Sequence, residues 1–96
     1  MAQDGELITL VGEIDMARTA ELRALVQAHA ESRSIDAVVD MSEVSFCGTE
    51  GIEFLVGLLK VAPANGGAVT VINPSDAAQR LIKICGLDDS IRQVRQ

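Results

Sequence analysis

The sequence predicts an α/β fold, with one mixed β-sheet of about four strands and helices packed against it. Three observations lead there. Short runs rich in Val, Ile, Leu and Thr, near 6–11, 35–41, 68–72 and 90–94, alternate with longer segments whose apolar residues recur at helical spacing. Glycine, proline, asparagine and aspartate collect at the joins, where turns and caps need them. The composition, 48% hydrophobic and 23% charged in 96 residues, suits one small packed globule over 1–96 with no room for a separate catalytic lobe.

Each element has its own grounds. Glu6 to Val11 reads as a strand bounded by glycines, and Gly12-Glu13-Ile14-Asp15 ends it in a turn. Asp15 is placed to cap the next helix, because its carboxylate can accept an orphan N–H of the first turn. Leu22, Leu25, Val26 and His29 share one face of a helix from about Ala17 to Glu31, so His29 flanks the packed stripe. Ser32 to Ser34 breaks the chain, and Ile35 to Met41 is a short buried strand. Asp40 lies near its carboxyl end, the side on which open α/β sheets take ligands. Ser42 to Gly48 is a link to a second helix, whose apolar run Ile52 to Val61 carries Ile52, Leu55, Val56 and Leu59 on one face. Gly51 and Gly57 weaken that helix by about 1 kcal/mol each relative to alanine, which points to close packing or backbone access. Pro63 ends it and Asn65-Gly66-Gly67 turns the chain. Ala68 to Ile72, apolar apart from Thr70, reads as a strand covered on both faces. Asn73 caps a third helix, with Pro74 at its first position, Ala78, Leu81, Ile82 and Cys85 facing the core, and Gly86 as its stop. Asp88-Asp89 turns into a last strand within Ser90 to Val94.

The stretch Val44 to Gly51 organises the functional reading. It sets the Thr49 hydroxyl at the mouth of the second helix, just beyond a strand end, where free N–H groups favour anions.

Formal net charge is −6, with −7 in residues 1–50 and +1 in 51–96. Together with only two aromatics, Phe46 and Phe54, this argues against nucleic acid and anionic membrane as partners. The acidic half holds the Thr49 stretch, so a partner docking there would bring basic or donor groups. No run approaches the roughly 18–20 apolar residues of a membrane span. Two cysteines, Cys47 and Cys85, without a signal peptide indicate free thiols in a reducing, cytoplasmic setting. No metal spacing or cofactor motif is present, so neither is expected. A Cys47 nucleophile would need a base, and the sole histidine, His29, is assigned to packing; no catalytic residue is expected.

Four motifs in order, Leu10-Val11-Gly12-Glu13-Ile14-Asp15, Val38 to Phe46, Thr49-Glu50-Gly51-Ile52 and Leu81 to Leu87, resemble the STAS domain family, which includes the bacterial anti-sigma factor antagonists. The resemblance covers about 6–94. In family antagonists the loop before the second long helix reads Asp-Ser-Ser/Thr-Gly, and a kinase phosphorylates its first hydroxyl residue. Here Gly48 stands at the aspartate, Thr49 at the phosphorylated position and Glu50 at the second hydroxyl, so Glu50 puts a permanent charge beside the site.

The resemblance implies an anti-sigma factor antagonist that acts by partner switching and is no enzyme. Its partner would be an anti-sigma factor or serine/threonine kinase of the histidine-kinase-like ATPase type, engaged through Asp15, Cys47, Gly48, Thr49, Glu50 and Gly51, with Thr49 as the phosphorylation site. The alternative it implies is a constitutive adaptor subunit of a bacterial lipid-transporting ABC complex, since such subunits also end early and this chain stops at Gln96. An exposed strand edge would allow a weak homodimer.

Overall fold

The computed structural model describes residues 5–32, 36–62 and 67–96. Its elements are β1 (Gly5–Ile14), a 3-10 turn (Met16–Arg18), α1 (Thr19–Ser32), β2 (Asp36–Cys47), α2 (Thr49–Val61), β3 (Val69–Ile72), α3 (Asp76–Ile84) and β4 (Arg92–Val94). The strands form one sheet in the order β1-β2-β3-β4. The α/β class and the strand number are as expected. All three pairings are parallel rather than mixed, because a helix carries the chain back across the sheet between each pair of strands.

Sequential parallel strands joined by right-handed crossovers put every helix on one face. Burial follows that rule. On β1, Ile8, Leu10 and Ile14 are buried, while Leu7 and Val11 are 62% and 51% exposed. On β3, Val69 and Val71 are fully buried, whereas Thr70 and Ile72 are only half-buried. The expectation that this strand is covered on both faces is therefore corrected: its apolar run reflects a central position, with helices on one side alone. The core lies between sheet and helices and is filled by Leu10, Ile14, Val39, Met41, Leu55, Leu58 and Ile82, each contributing about 1.5–3 kcal/mol.

β2 is longer than the sequence suggested. Residues 42–47, expected as a link, continue the strand. They do so through two register shifts against β1, where Thr9 and Val11 pair with Asp40 and Glu43, and Gly12 and Glu13 with Val44 and Phe46. Each shift inserts an extra residue in β2, which twists the strand and breaks its alternation. Its buried positions accordingly run 37, 39, 41 and then 44. The Asp40 carboxylate accepts the Ser42 N–H at 2.9 Å at the first shift, satisfying a donor the ladder loses.

Several details differ from expectation. The first helix begins with the 3-10 turn, and His29 on α1 is fully buried rather than flanking. Ser75, not Asn73, caps α3: its hydroxyl accepts the Ala78 N–H at 3.2 Å. Asn73 instead takes a left-handed conformation (φ 49°) and accepts the Gln96 N–H on its side chain at 2.8 Å. Cys85 is exposed rather than in the core, because α3 ends at Ile84 and Cys85 is its C-cap, off the buried stripe of Ala78 and Ile82. Gly86 ends the helix with φ 71°. The break at Arg33 and Ser34, the start of the second strand at Ile35 and the turn at Pro63 to Gly66 lie outside the described residues.

Candidate functional site

The carboxyl ends of β1 and β2 meet where the parallel register pairs Ile14 with Cys47. One residue further, the Gly48 N–H donates to the Ile14 carbonyl at 2.9 Å. This bond sets Asp15, leaving β1, beside Gly48 and Thr49, entering α2. Two residues far apart in sequence thus share one corner at the carboxyl edge of a parallel sheet, where such sheets present ligand sites.

Asp15 is extended, and its carboxylate accepts the Ala17 N–H at 3.1 Å, capping the 3-10 turn. Arg18, which sequence reasoning passed over, holds this loop from the other side. Its Nη1 donates to the Val11 and Glu13 carbonyls at 2.6 and 3.2 Å, while Nε and Nη2 each donate to a Glu21 carboxylate oxygen at 2.9 Å. The bidentate hydrogen bond chiefly raises the guanidinium pKa and lowers that of Glu21. An arginine three residues before a glutamate is a readable helix-surface signal, whereas its reach to the strand carbonyls is not.

Thr49 is the first residue of α2 and is exposed. Its N-cap is Gly48, extended at φ −91° and ψ −170°, with no side chain to cap the helix. Glu50 leans back over that place: its Oε1 lies 2.9 Å from where a Cβ at position 48 would stand. A carboxylate therefore stands over the N-cap although residue 48 has none. Gly51 is required by packing, since a Cβ there would overlap Cys47 Sγ and touch Ile14 Cγ2 at 3.5 Å. Cys47 is half-buried, and its thiol is pushed up to about 11, first by burial and then by Cys85 and Glu50. Such a thiol stays protonated near neutrality, and it packs against Gly51. Phe46, 53% exposed, flanks the corner and was not among the predicted site residues.

Asp15, Gly48, Thr49 and Glu50 thus line one accessible corner, with Cys47 and Gly51 supporting it from beneath. Among the described residues no three His, Cys, Asp or Glu side chains are placed to share a metal ion, and no helix is long and apolar enough to cross a membrane.

A family model described as "Mlab, STAS domain" matches residues 1–95. The chain belongs to the STAS domain family. The anti-sigma-B factor antagonist of Staphylococcus aureus (strain NCTC 8325 / PS 47) is 30% identical over 78 residues, spanning 81% of this chain and 72% of that protein. An anti-sigma factor antagonist from Mycobacterium paratuberculosis superposes with a TM-score of 0.84 at 24% identity, covering 98% of this STAS domain and 80% of that chain. Unphosphorylated SpoIIAA, itself an anti-sigma factor antagonist, gives 0.82 at 20% identity over 97% of this chain and 83% of its own. The phosphorylated form of the Bacillus protein gives 0.74 at 19%, with 96% and 84% covered. At these identities the structural likeness speaks to the fold.

Proposed function

We propose that this STAS domain is an anti-sigma factor antagonist acting by partner switching, with the Asp15–Thr49 corner as its contact surface and Thr49 as the phosphorylation site. The observation that carries the reading is the apposition of the two strand ends through the Gly48 to Ile14 hydrogen bond, which leaves an exposed hydroxyl on the first residue of α2. Sequence relatives named as anti-sigma-B factor antagonists support the same role. The partner is an anti-sigma factor or related serine/threonine kinase of the histidine-kinase-like ATPase type, in the cytoplasm, and the chain is a substrate rather than an enzyme.

Magnitudes make the switch workable. A phosphate adds about −1.5 to −2 charges at a helix N-terminus, where the dipole returns about 0.3–1 kcal/mol, so the fold tolerates it. Against a partner carboxylate at ~6 Å, each unit of charge costs about 0.7 kcal/mol in water and about 3 kcal/mol at an effective dielectric near 20 in a closed interface. Binding suffers more than folding.

A second reading, a constitutive adaptor subunit of a lipid-transporting ABC complex, draws support from Gly48 and Glu50. The carboxylate that Glu50 holds over the N-cap is permanent, so modified and unmodified states differ less than at a site with an uncharged neighbour. Affinity capture from the native cell with and without ATP, followed by intact-mass determination, separates the readings. Partner switching requires a gain of one phosphate on Thr49 and release of the partner, reproduced by Thr49→Glu. Capture of an ATPase subunit that ignores ATP and survives Thr49→Glu would establish the adaptor instead.

A further inference from the structure

Beside the Asp15–Thr49 corner, α1 and α2 lie against each other. They touch where Gly57 faces Val26, since a Cβ at position 57 would stand only 3.3 Å from both Val26 methyl groups. The two helices leave between them a groove of about 450 Å³, open to solvent on its outer side and reaching Thr19 and Glu50 in their first turns. Leu22 and Phe54, both buried, form its floor. Glu50 and Glu53 stand on the α2 wall, opposite Arg23 on α1. Among the described residues the ion pair is Arg18 with Glu21, so Glu50, Glu53 and Arg23 share the groove without a direct pair between them.

We propose that this groove seats a short basic and aliphatic segment of a partner protein, with an arginine or lysine meeting Glu50 and Glu53 and an adjacent aliphatic side chain on the Leu22–Phe54 floor. The inference rests on the reading that the chain works by docking a partner, and it carries that contact from the loop corner along the helices. Charge complementarity selects the occupant. Covering two unpaired carboxylates with a neutral or acidic surface strips their water without return, whereas a cation offsets the loss. The apolar surface still facing the groove, half-buried Val26 beside the closed Leu22–Phe54 floor, is covered by an aliphatic side chain and not by a bare cation. Glu50 faces both the groove and Gly48, so one residue joins the two contact areas.

The test is a titration of the 15N-labelled full chain with two synthetic 12-residue helical peptides. One carries leucines at i, i+3 and i+4 spacing between arginines, and the other has glutamate for every arginine. Amide shifts for the basic peptide should concentrate at residues 19–27 and 50–57, while the acidic peptide leaves the spectrum unchanged. Glu50→Gln with Glu53→Gln should weaken binding at least about fivefold, in a salt-dependent manner, and Arg23→Ala should tighten it about twofold. Gln27→Trp, at an exposed position on the groove wall, should abolish it while leaving thermal unfolding unchanged. Equal binding of both peptides, no binding of either, or shifts on the open face of the sheet would overturn the proposal. In a separate arm with the captured partner, retention by Gln27→Trp as by the wild type would sink the groove alone. Peptide binding at the groove without any partner capture would leave the groove standing and remove the reading beneath it.

Discussion

At Gly51 the second helix comes so close to the end of β2 that hydrogen is the only side chain with room. Gly51→Ala gains up to about 1 kcal/mol of helix propensity but forces Cys47 aside, and overpacking of this kind costs about 1–3 kcal/mol. A net loss near 1 kcal/mol is expected in urea denaturation. Removing the sulfur should reverse it, so the cycle with Cys47→Ala should give a favourable coupling of at least about 1 kcal/mol, and strict additivity would disprove the contact. The Cys47 thiol supplies a second test. With its pKa near 11, about one thiol in a thousand is ionised at pH 8, so iodoacetamide should alkylate exposed Cys85 in the native protein well before half-buried Cys47, and unfolding should remove the difference. Because the folded state holds this proton more tightly than the unfolded chain, Cys47 lowers stability as pH rises from about 9 towards 11. Cys47→Ala should flatten that part of the profile.

Individual elements show where sequence patterns succeed and where they stop. The helices were legible because Leu22, Leu25 and Val26 on α1 keep a 3.6-residue period that packing on one side of a sheet enforces. On α2 the period is legible but the face expected from Ile52, Leu55, Val56 and Leu59 is one residue off, since Gly51, Phe54, Leu55 and Leu58 are the buried residues. The carboxyl half of β2 was not legible. Its two bulges shift the buried positions from every second to every third residue, and that pattern matches neither strand nor helix. The same segment leads into the site, so the position of Thr49 at the helix mouth is legible in the sequence while the strand leading to it is not. The apposition of Asp15 with Thr49 depends on parallel pairing across residues distant in sequence, and Arg18's hold on the Val11 and Glu13 carbonyls on a side-chain conformation; neither leaves a local pattern. The cap of α3 is a nearer miss, because Asn73 and Ser75 are both good capping residues. Here the structure makes a definite claim. Ser75→Ala should cost about 1 kcal/mol in chemical denaturation through loss of the bond to the Ala78 N–H, and an unchanged midpoint would mean that another group caps the helix.

At the scale of the whole molecule, the three helices among the described residues lie on one face and those residues leave the other face of the sheet open, with Leu7 and Val11 exposed along its edge strand. An open edge with apolar residues is the place where a second copy of the chain would pair, while a net charge of −6 on each copy opposes association. The balance can be read from stability. Leu7→Thr and Val11→Thr remove surface that is already in water in the isolated chain, so each should shift the unfolding free energy by less than about 0.5 kcal/mol. Leu10→Ala, one residue away on the covered face, should cost about 2–5 kcal/mol because it empties part of the core. That contrast within four positions of one strand is the signature of a one-sided sheet. If Leu7→Thr instead costs as much as Leu10→Ala, and the cost grows with protein concentration, the open face is buried in solution against another copy, since only association makes stability depend on concentration.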